Sequence, residues 1–288
     1  MTMHAPDAPE WLAPTSLSEA LSALARGSPP EILAGGTDLW PKWNAGQARP
    51  ARLLSLHRLA ELRRIERHEG GALRVGAMCT HAELCRSTEV RQACPALAEA
   101  AATIGAVQVQ NQGTLGGNLV NASPAADLPP PLVAAGAEVE LISTAGSRRV
   151  PLDRFYTGYR QLDRRPDELL VAVLVPALPR GARERFRKVG TRRAQAISKV
   201  VGSCRLELEA DGTLARAALA FGSVAPVVVR LAELERWLAG RRADEATARG
   251  AEEQARAAVQ PIDDVRSSAD YRRHVVGRIV RGWILGRE

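Results

Sequence analysis

Lysine and aromatic residues are scarce in this sequence of 288 residues. Three lysines (Lys42, Lys188 and Lys199) stand among 39 cationic residues, and Phe, Trp and Tyr together make up 4%. A nucleic-acid surface usually gathers its cations in a stripe interleaved with stacking rings. Here the arginines are dispersed among 32 acidic residues, in short pairs such as Arg63-Arg64, Arg148-Arg149 and Arg192-Arg193. The net charge of +7 therefore reads as a solvated mixed-charge surface, and no nucleic-acid partner is expected. Long apolar runs are also missing. Stretches such as Leu169–Val175 fall far short of the roughly 20 residues that span a bilayer, so no membrane span is expected. Met1–Trp11 carries Asp7 and Glu10 and no apolar core, which argues against a secretory leader. The four cysteines, Cys79, Cys85, Cys94 and Cys204, form no CxxC pair. They read as reduced thiols of a cytoplasmic protein, with neither a disulfide frame nor a metal nest. Neither HExxH nor GxSxG occurs, which leaves no self-contained hydrolytic machinery, and His81 reads as a helix-start or surface residue.

What is present is ordinary for a globular chain: 45% hydrophobic and 25% charged residues. The length predicts roughly two domains. Ser16–Ala25 has helical apolar spacing behind a Ser16 cap, and Ile32–Ala34 reads as a strand running into Gly35-Gly36. Arg52–Leu56 and Leu73–Ala77 read as further strands, the latter leading into a helix near Thr80, so Ala5–Val75 forms an α/β unit. A second such unit holds a helix over Pro95–Ile104, a glycine-punctuated stretch over Val107–Asn118 and a buried strand over Glu168–Val175. Pro176–Gly181 is the best boundary. Beyond it, Val200–Glu209 and Ala217–Phe221 flank an Asp211-Gly212 hairpin signal, and three helical patterns follow, around Leu231–Leu238, Ala246–Val259 and Tyr271–Trp283. This last part is a small antiparallel sheet packed on helices.

Four segments carry candidate chemistry. In Ala34-Gly35-Gly36-Thr37-Asp38, paired glycines after a strand let bare backbone N–H groups approach an anion, although a plain tight turn has the same residues. Thr114-Leu115-Gly116-Gly117-Asn118 is neither a Walker A loop nor GxGxxG, yet it supplies a second small-residue turn, and two such turns suit a long ligand with a diphosphate. Asp127 ends a small-residue loop and either accepts hydrogen bonds from sugar hydroxyls or caps a helix that Pro129-Pro130-Pro131 weakens. Lys188 and Lys199 are either exposed cations or ammonium groups near a redox ring, whose anionic reduced form they would favour.

These segments, in this order, resemble the FAD-binding subunit of the molybdenum hydroxylases, the xanthine dehydrogenase and carbon monoxide dehydrogenase family. The resemblance rests on AGGTDL, PALAEAA, GTLGGNLVNASPAAD, FYTGYR, DELLVAVLVP, FRKVGTRRAQAISKV and PIDDVRSSADYRRHVV, and spans nearly the whole chain. It implies an α+β protein with two α/β subdomains of an FAD-binding, vanillyl-alcohol-oxidase-type (PCMH-type) domain over 1–178, dividing near 77, and a C-terminal antiparallel sheet with helices over 182–288. It also implies that Ala34, Gly35, Gly36, Thr37 and Asp38, with Thr114, Leu115, Gly116, Gly117 and Asn118, hold the FAD diphosphate and its neighbours. Asp127 would bind the ribityl chain and Leu170 and Lys188 would lie beside the flavin. Ile104 stands where some members carry an aromatic, and Thr37-Asp38 where relatives vary. The implied role is electron transfer, without catalytic or metal-binding residues on this chain. Electrons would come from [2Fe-2S] clusters on a small iron–sulfur subunit, fed by a molybdenum-cofactor large subunit, and leave to NAD+, oxygen or another acceptor. A dimer of heterotrimers is the expected assembly. The cysteine-ligated [4Fe-4S] insertion of benzoyl-CoA-type relatives has no counterpart, so FAD alone is expected. A stand-alone flavin oxidase or reductase, which would need its own substrate pocket, and a non-catalytic nucleotide-binding scaffold are the rival classes.

Overall fold

The structure, a computed structural model, describes residues 8–192 and 195–287; most of the Met1–Trp11 stretch and Arg193 of the paired arginines lie outside them. Near the N-terminus, Glu10–Leu12, Arg52–Ser55 and Glu31–Leu33 form a three-stranded parallel sheet with Arg52–Ser55 in the middle. The helix Leu17–Ala25 starts where its sequence indicates: Glu19 N donates to the Ser16 hydroxyl at 3.2 Å. Ala20, Leu21 and Leu24 bury its apolar stripe against Leu54 and Leu56.

A five-stranded antiparallel sheet follows, in the order Ile65–Arg67, Leu73–Gly76, Leu169–Val175, Glu138–Ser143, Gly146–Pro151. Leu73–Gly76, which the sequence groups with the first unit, thus hydrogen-bonds to Leu169–Val175 of the second, and Ile65–Arg67 follows it. The continuous apolar character of Leu169–Val175 has a simple cause. Leu170, Val173 and Val175 enter one core, Leu169, Val171 and Ala172 enter another, and only Leu174 of the strand is partly exposed. The helix His81–Arg86 opens with a capping box in which Thr80 and Glu83 satisfy each other's backbone N–H groups.

Two local expectations change. The glycine-punctuated stretch Val107–Asn118 folds into two short helices, Val107–Gln112 and Leu115–Val120, so the small-residue turn expected at 114–118 is the start of a helix, capped by the Thr114 hydroxyl. The three prolines do not prevent a helix; they begin one, Pro129–Ala135, because N–H groups in a first turn need no intrahelical partner. Its cap residue is Leu128, not Asp127.

After Pro176, a four-stranded antiparallel sheet runs Arg183–Val189, Val200–Leu208, Leu214–Gly222, Val229–Arg230. The helices Ala232–Leu238, Glu245–Ala257 and Ala269–Ile284 cover one face, with Trp283 stacked on Phe221 at 5.4 Å between centroids. Pro129–Ala135 packs against this sheet from the preceding part of the chain. At that junction Arg205 is buried. It pairs with Glu184 and donates to the carbonyls of Ala93 and Ala177 at 3.2 and 3.3 Å, while Ala96 N donates to Glu184 at 3.1 Å.

Candidate functional site

Two glycine segments meet backbone to backbone. The strand Glu31–Leu33 ends at Ala34, and the chain turns through Gly35 and Gly36, the latter at φ +70°. A Cβ on Gly35 would fall onto the Gln112 carbonyl oxygen and within 3.1 Å of Gly113 Cα, so only glycine permits this approach. On the opposite side Gly116 N donates to Ala77 O at 2.8 Å, and a Cβ on Gly116 would lie 2.8 Å from Ala77 Cβ. Gly117 N donates to Thr114 Oγ1 at 3.1 Å.

Between these segments lies a cavity of about 970 Å³. Ala34, Gly35, Gly36, Thr37 and Asp38 line it, as do Ile104, Thr114, Gly116, Gly117, Asn118 and Leu170. The structure brings these expected residues together around one space. Leu115 is not among the lining residues; its side chain is fully buried in the core. Asp127 and Lys188 are not lining residues either. They pair with each other at 2.6 Å, with side chains 10% and 12% exposed, and Lys188 Nζ also donates to Thr103 O at 3.1 Å, next to the lining Ile104. Ser198 Oγ donates to the other Asp127 oxygen at 2.6 Å. Burial pushes the Asp127 carboxyl above its ordinary value, while the Lys188 ammonium and the Ser198 hydroxyl hold it back. Lys199, the other lysine of this region, lies with its ammonium 5.3 Å from the Tyr271 ring centre.

The cavity is electropositive. Lys42, Arg49, Arg160 and Arg164 line it, opposed by the carboxylates of Glu31 and Asp38. Among the described residues none of these four cations has a carboxylate within ion-pair distance, although ion pairs are frequent elsewhere in the chain, as where Arg148 meets both Asp163 and Glu168. Sequence reasoning missed all four. The scarcity that singles out Lys188 applies equally to Lys42, and Arg160 lies within FYTGYR, so both carried a signal; Arg49 and Arg164 are lost among many arginines.

His81 is the other omission. It does start a helix, but it is buried rather than on the surface, and it lines the cavity. Its backbone N donates to Gly113 O at 3.0 Å, which ties it to the second glycine segment. Burial lowers its pKa to about 4, so the ring is neutral near pH 7. His81 Nδ1 and Asn118 Oδ1 are buried without a hydrogen-bond partner among the described residues. Two unsatisfied polar atoms on residues that line one cavity, bare glycine backbone and unpaired cations suit a ligand with hydroxyls and an anionic centre. A dinucleotide such as FAD fits that donor set. No group of three or more His, Cys, Asp or Glu among the described residues is arranged to hold a metal ion. Burial raises all four cysteine thiols, which leaves them protonated. No helix among the described residues is long and apolar enough to cross a membrane.

Comparison with known proteins agrees with this chemistry. Residues 6–178 match the family model described as the FAD binding domain in molybdopterin dehydrogenase, and residues 185–285 match that of the CO dehydrogenase flavoprotein C-terminal domain. The chain is 32% identical over 273 residues to the carbon monoxide dehydrogenase medium chain of Hydrogenophaga pseudoflava, covering 94% of each. It is 31% identical over 264 residues to the xanthine dehydrogenase FAD-binding subunit of Escherichia coli O157:H7, covering 91% of this chain and 89% of the relative. Among solved structures, a chain of the carbon monoxide dehydrogenase from Hydrogenophaga pseudoflava that lacks the Mo-pyranopterin moiety superposes with a TM-score of 0.91 over 96% of both chains. Sequence, fold and family models agree over almost the full length: this chain belongs to the FAD-binding medium-subunit family of the molybdenum hydroxylases and is an oxidoreductase subunit.

Proposed function

We propose that this chain is the electron-exit subunit of a heteromeric molybdenum-dependent dehydrogenase. It would take electrons from [2Fe-2S] clusters on a small partner subunit, supplied by a molybdenum-cofactor large subunit, and deliver them to NAD+, oxygen or another acceptor. A dimer of heterotrimers in the cytoplasm is the proposed setting. The observation that carries the reading is the pair of glycine segments on either side of one electropositive cavity, lined by Lys42, Arg49, Arg160 and Arg164. FAD, when bound, exchanges electrons singly or in pairs, which suits a link between iron–sulfur donors and a two-electron acceptor.

The residues of this chain would bind and orient the cofactor. Gly35, Gly36, Gly116 and Gly117 allow close backbone approach, and Thr37, Asp38, Thr114 and Asn118 offer side-chain hydrogen bonds. Leu170 and Ile104 supply apolar wall. Asp127 and Lys188 are proposed beside the flavin as a pair, so their net charge toward the cofactor is near zero and their contribution is a fixed dipole. The neutral His81 ring has a nitrogen free for a ligand oxygen. The proposed division is an FAD-binding part over 1–178 and a C-terminal part over 182–288, supported by the spans of the two family models. Strand pairing favours an inner division nearer residue 56 than 77.

The test is to purify the chain from its native host, record its visible spectrum and identify the proteins that accompany it. A flavin spectrum with iron–sulfur and molybdenum-containing partners is expected. Substrate turnover by the isolated chain would favour a stand-alone flavoenzyme, and a colourless preparation a scaffold.

A further inference from the structure

Two of the unpaired cavity cations converge on a single neutral group. Lys42 Nζ donates to Asn121 Oδ1 at 3.3 Å, and Arg160 Nη1 donates to the same oxygen at 3.3 Å and to Asn121 O at 3.3 Å. The two positive charges repel each other, and a neutral amide oxygen cannot cancel either. They come from distant parts of the chain: Lys42 from the helix Leu39–Asn44, Arg160 from the turn between Tyr156–Gly158 and Gln161–Leu162, and Asn121 from the end of Leu115–Val120. Arg160 is also held at φ +54°, a conformation that a residue with a side chain rarely adopts.

Their placement relative to the glycines identifies the counter-charge. Trp40 N donates to Gly36 O at 3.0 Å, so the helix that carries Lys42 starts directly from Gly35-Gly36. Lys42 N donates to Asp38 O at 3.4 Å, and Asn121 N donates to Gly117 O at 3.0 Å, one turn beyond Gly116-Gly117. Lys42 thus lies on the helix leading away from one bare-backbone segment, the shared amide Asn121 lies one turn past the other, and those segments touch at Gly35 and Gln112. A ligand group threaded between them meets both charges. A diphosphate bears two negative charges on linked centres, one for each cation, which a monovalent anion does not, and its oxygens accept charge-assisted hydrogen bonds.

We propose that Lys42 and Arg160, spaced by Asn121, form a two-cation clamp on the diphosphate of the bound dinucleotide. The proposal rests on the FAD reading but assigns new residues to it. Asn121 holds the cations in place before the ligand arrives, and the diphosphate replaces their shared amide partner with charged ones.

The experiment uses the full chain freed of cofactor, titrated with FAD and with riboflavin, which lacks the diphosphate, by flavin fluorescence, and with ADP by competition. Lys42→Met and Arg160→Asn, the latter chosen because asparagine tolerates the left-handed turn, should each weaken FAD and ADP about tenfold. Riboflavin affinity should not move, added salt should weaken FAD binding less in the variants than in the unsubstituted chain, and Lys42→Arg should retain most affinity. Equal losses for FAD and riboflavin would show a structural role and overturn the clamp, as would unchanged FAD affinity in both variants. If the unsubstituted chain binds ADP but not FAD, and the variants lose ADP, the clamp stands and the FAD reading falls. If it binds neither, both fall.

Discussion

Replacing Lys188 with Met removes the ammonium from a carboxylate that is almost fully enclosed. Asp127 would keep only the Ser198 hydroxyl at 2.6 Å. Breaking a buried pair from one side costs about 3–5 kcal/mol, because the remaining charge is stranded. Asp127 has an escape that caps this cost: it can take up a proton. Starting from its ordinary 3.8, protonation costs about 1.4 kcal/mol per pH unit. The cap is thus about 4 kcal/mol at pH 7 and about 1.5 kcal/mol at pH 5. The sign follows from the same balance. A carboxyl whose value is raised in the folded state binds a proton there more readily than in the unfolded chain, so stability is greatest at low pH and falls as pH rises. Denaturant unfolding of Lys188→Met at pH 5 and pH 7 should therefore show the larger deficit at pH 7. Adding Asp127→Asn should recover most of it and remove the pH dependence. A loss under about 1 kcal/mol at pH 7, equal losses at both pH values, or no recovery in the double variant would refute the reasoning. In the loaded complex the same substitution should alter flavin potential or reoxidation rate while the chain still folds, and unchanged redox behaviour would remove Lys188 from the flavin's surroundings.

Gly116→Val should yield a colourless protein, since its side chain would strike Ala77 and part the segment from the strand end; a fully yellow product would refute that placement. Gly35→Ala should weaken FAD retention, read by equilibrium dialysis, because its methyl group displaces the Gln112 carbonyl; overpacking of this kind costs about 1–3 kcal/mol. Arg205→Met strands Glu184 between buried elements and should lower stability by about 3–5 kcal/mol in a denaturant melt, with Glu184→Gln restoring part of it. His81 is neutral when folded, with its pKa lowered from 6.5 to about 4. The unfolded chain therefore binds the extra proton first, and stability should fall by on the order of 3 kcal/mol as pH drops through that interval. His81→Asn should flatten this limb of the stability profile.

Much of the fold is legible in the sequence because its signals are local. Ser16 and Thr80 cap helices where their spacing indicates, Asp211-Gly212 turns a hairpin, and Leu231, Leu234 and Leu238 mark one helix face. What fails depends on distant partners. Leu73–Gly76 has the same alternation whichever sheet receives it, and only the pairing with Leu169–Val175 decides. Phe186-Arg187-Lys188-Val189 shows no strand pattern: Arg187 is exposed, and Lys188 turns inward only because Asp127 and the Thr103 carbonyl are brought to it from elsewhere in the chain. The glycine segments were visible as composition, whereas the cations around them were not. An arginine that lines a cavity and one that faces water have identical neighbours in sequence, so Arg49 and Arg164 emerge only from the folded chain.

The contacts across Pro176–Gly181 also bear on how the molecule comes apart. Lys188 reaches Asp127 and Thr103, and Arg205 with Glu184 reaches Ala93, Ala96 and Ala135. Opening that seam would expose paired charges and leave helix-end carbonyls and an N–H group without their partners, and each half would have to solvate its share alone. A chain that reads as two domains should for this reason melt as a single cooperative block, with one calorimetric transition, and neither half should be a stable protein when expressed by itself.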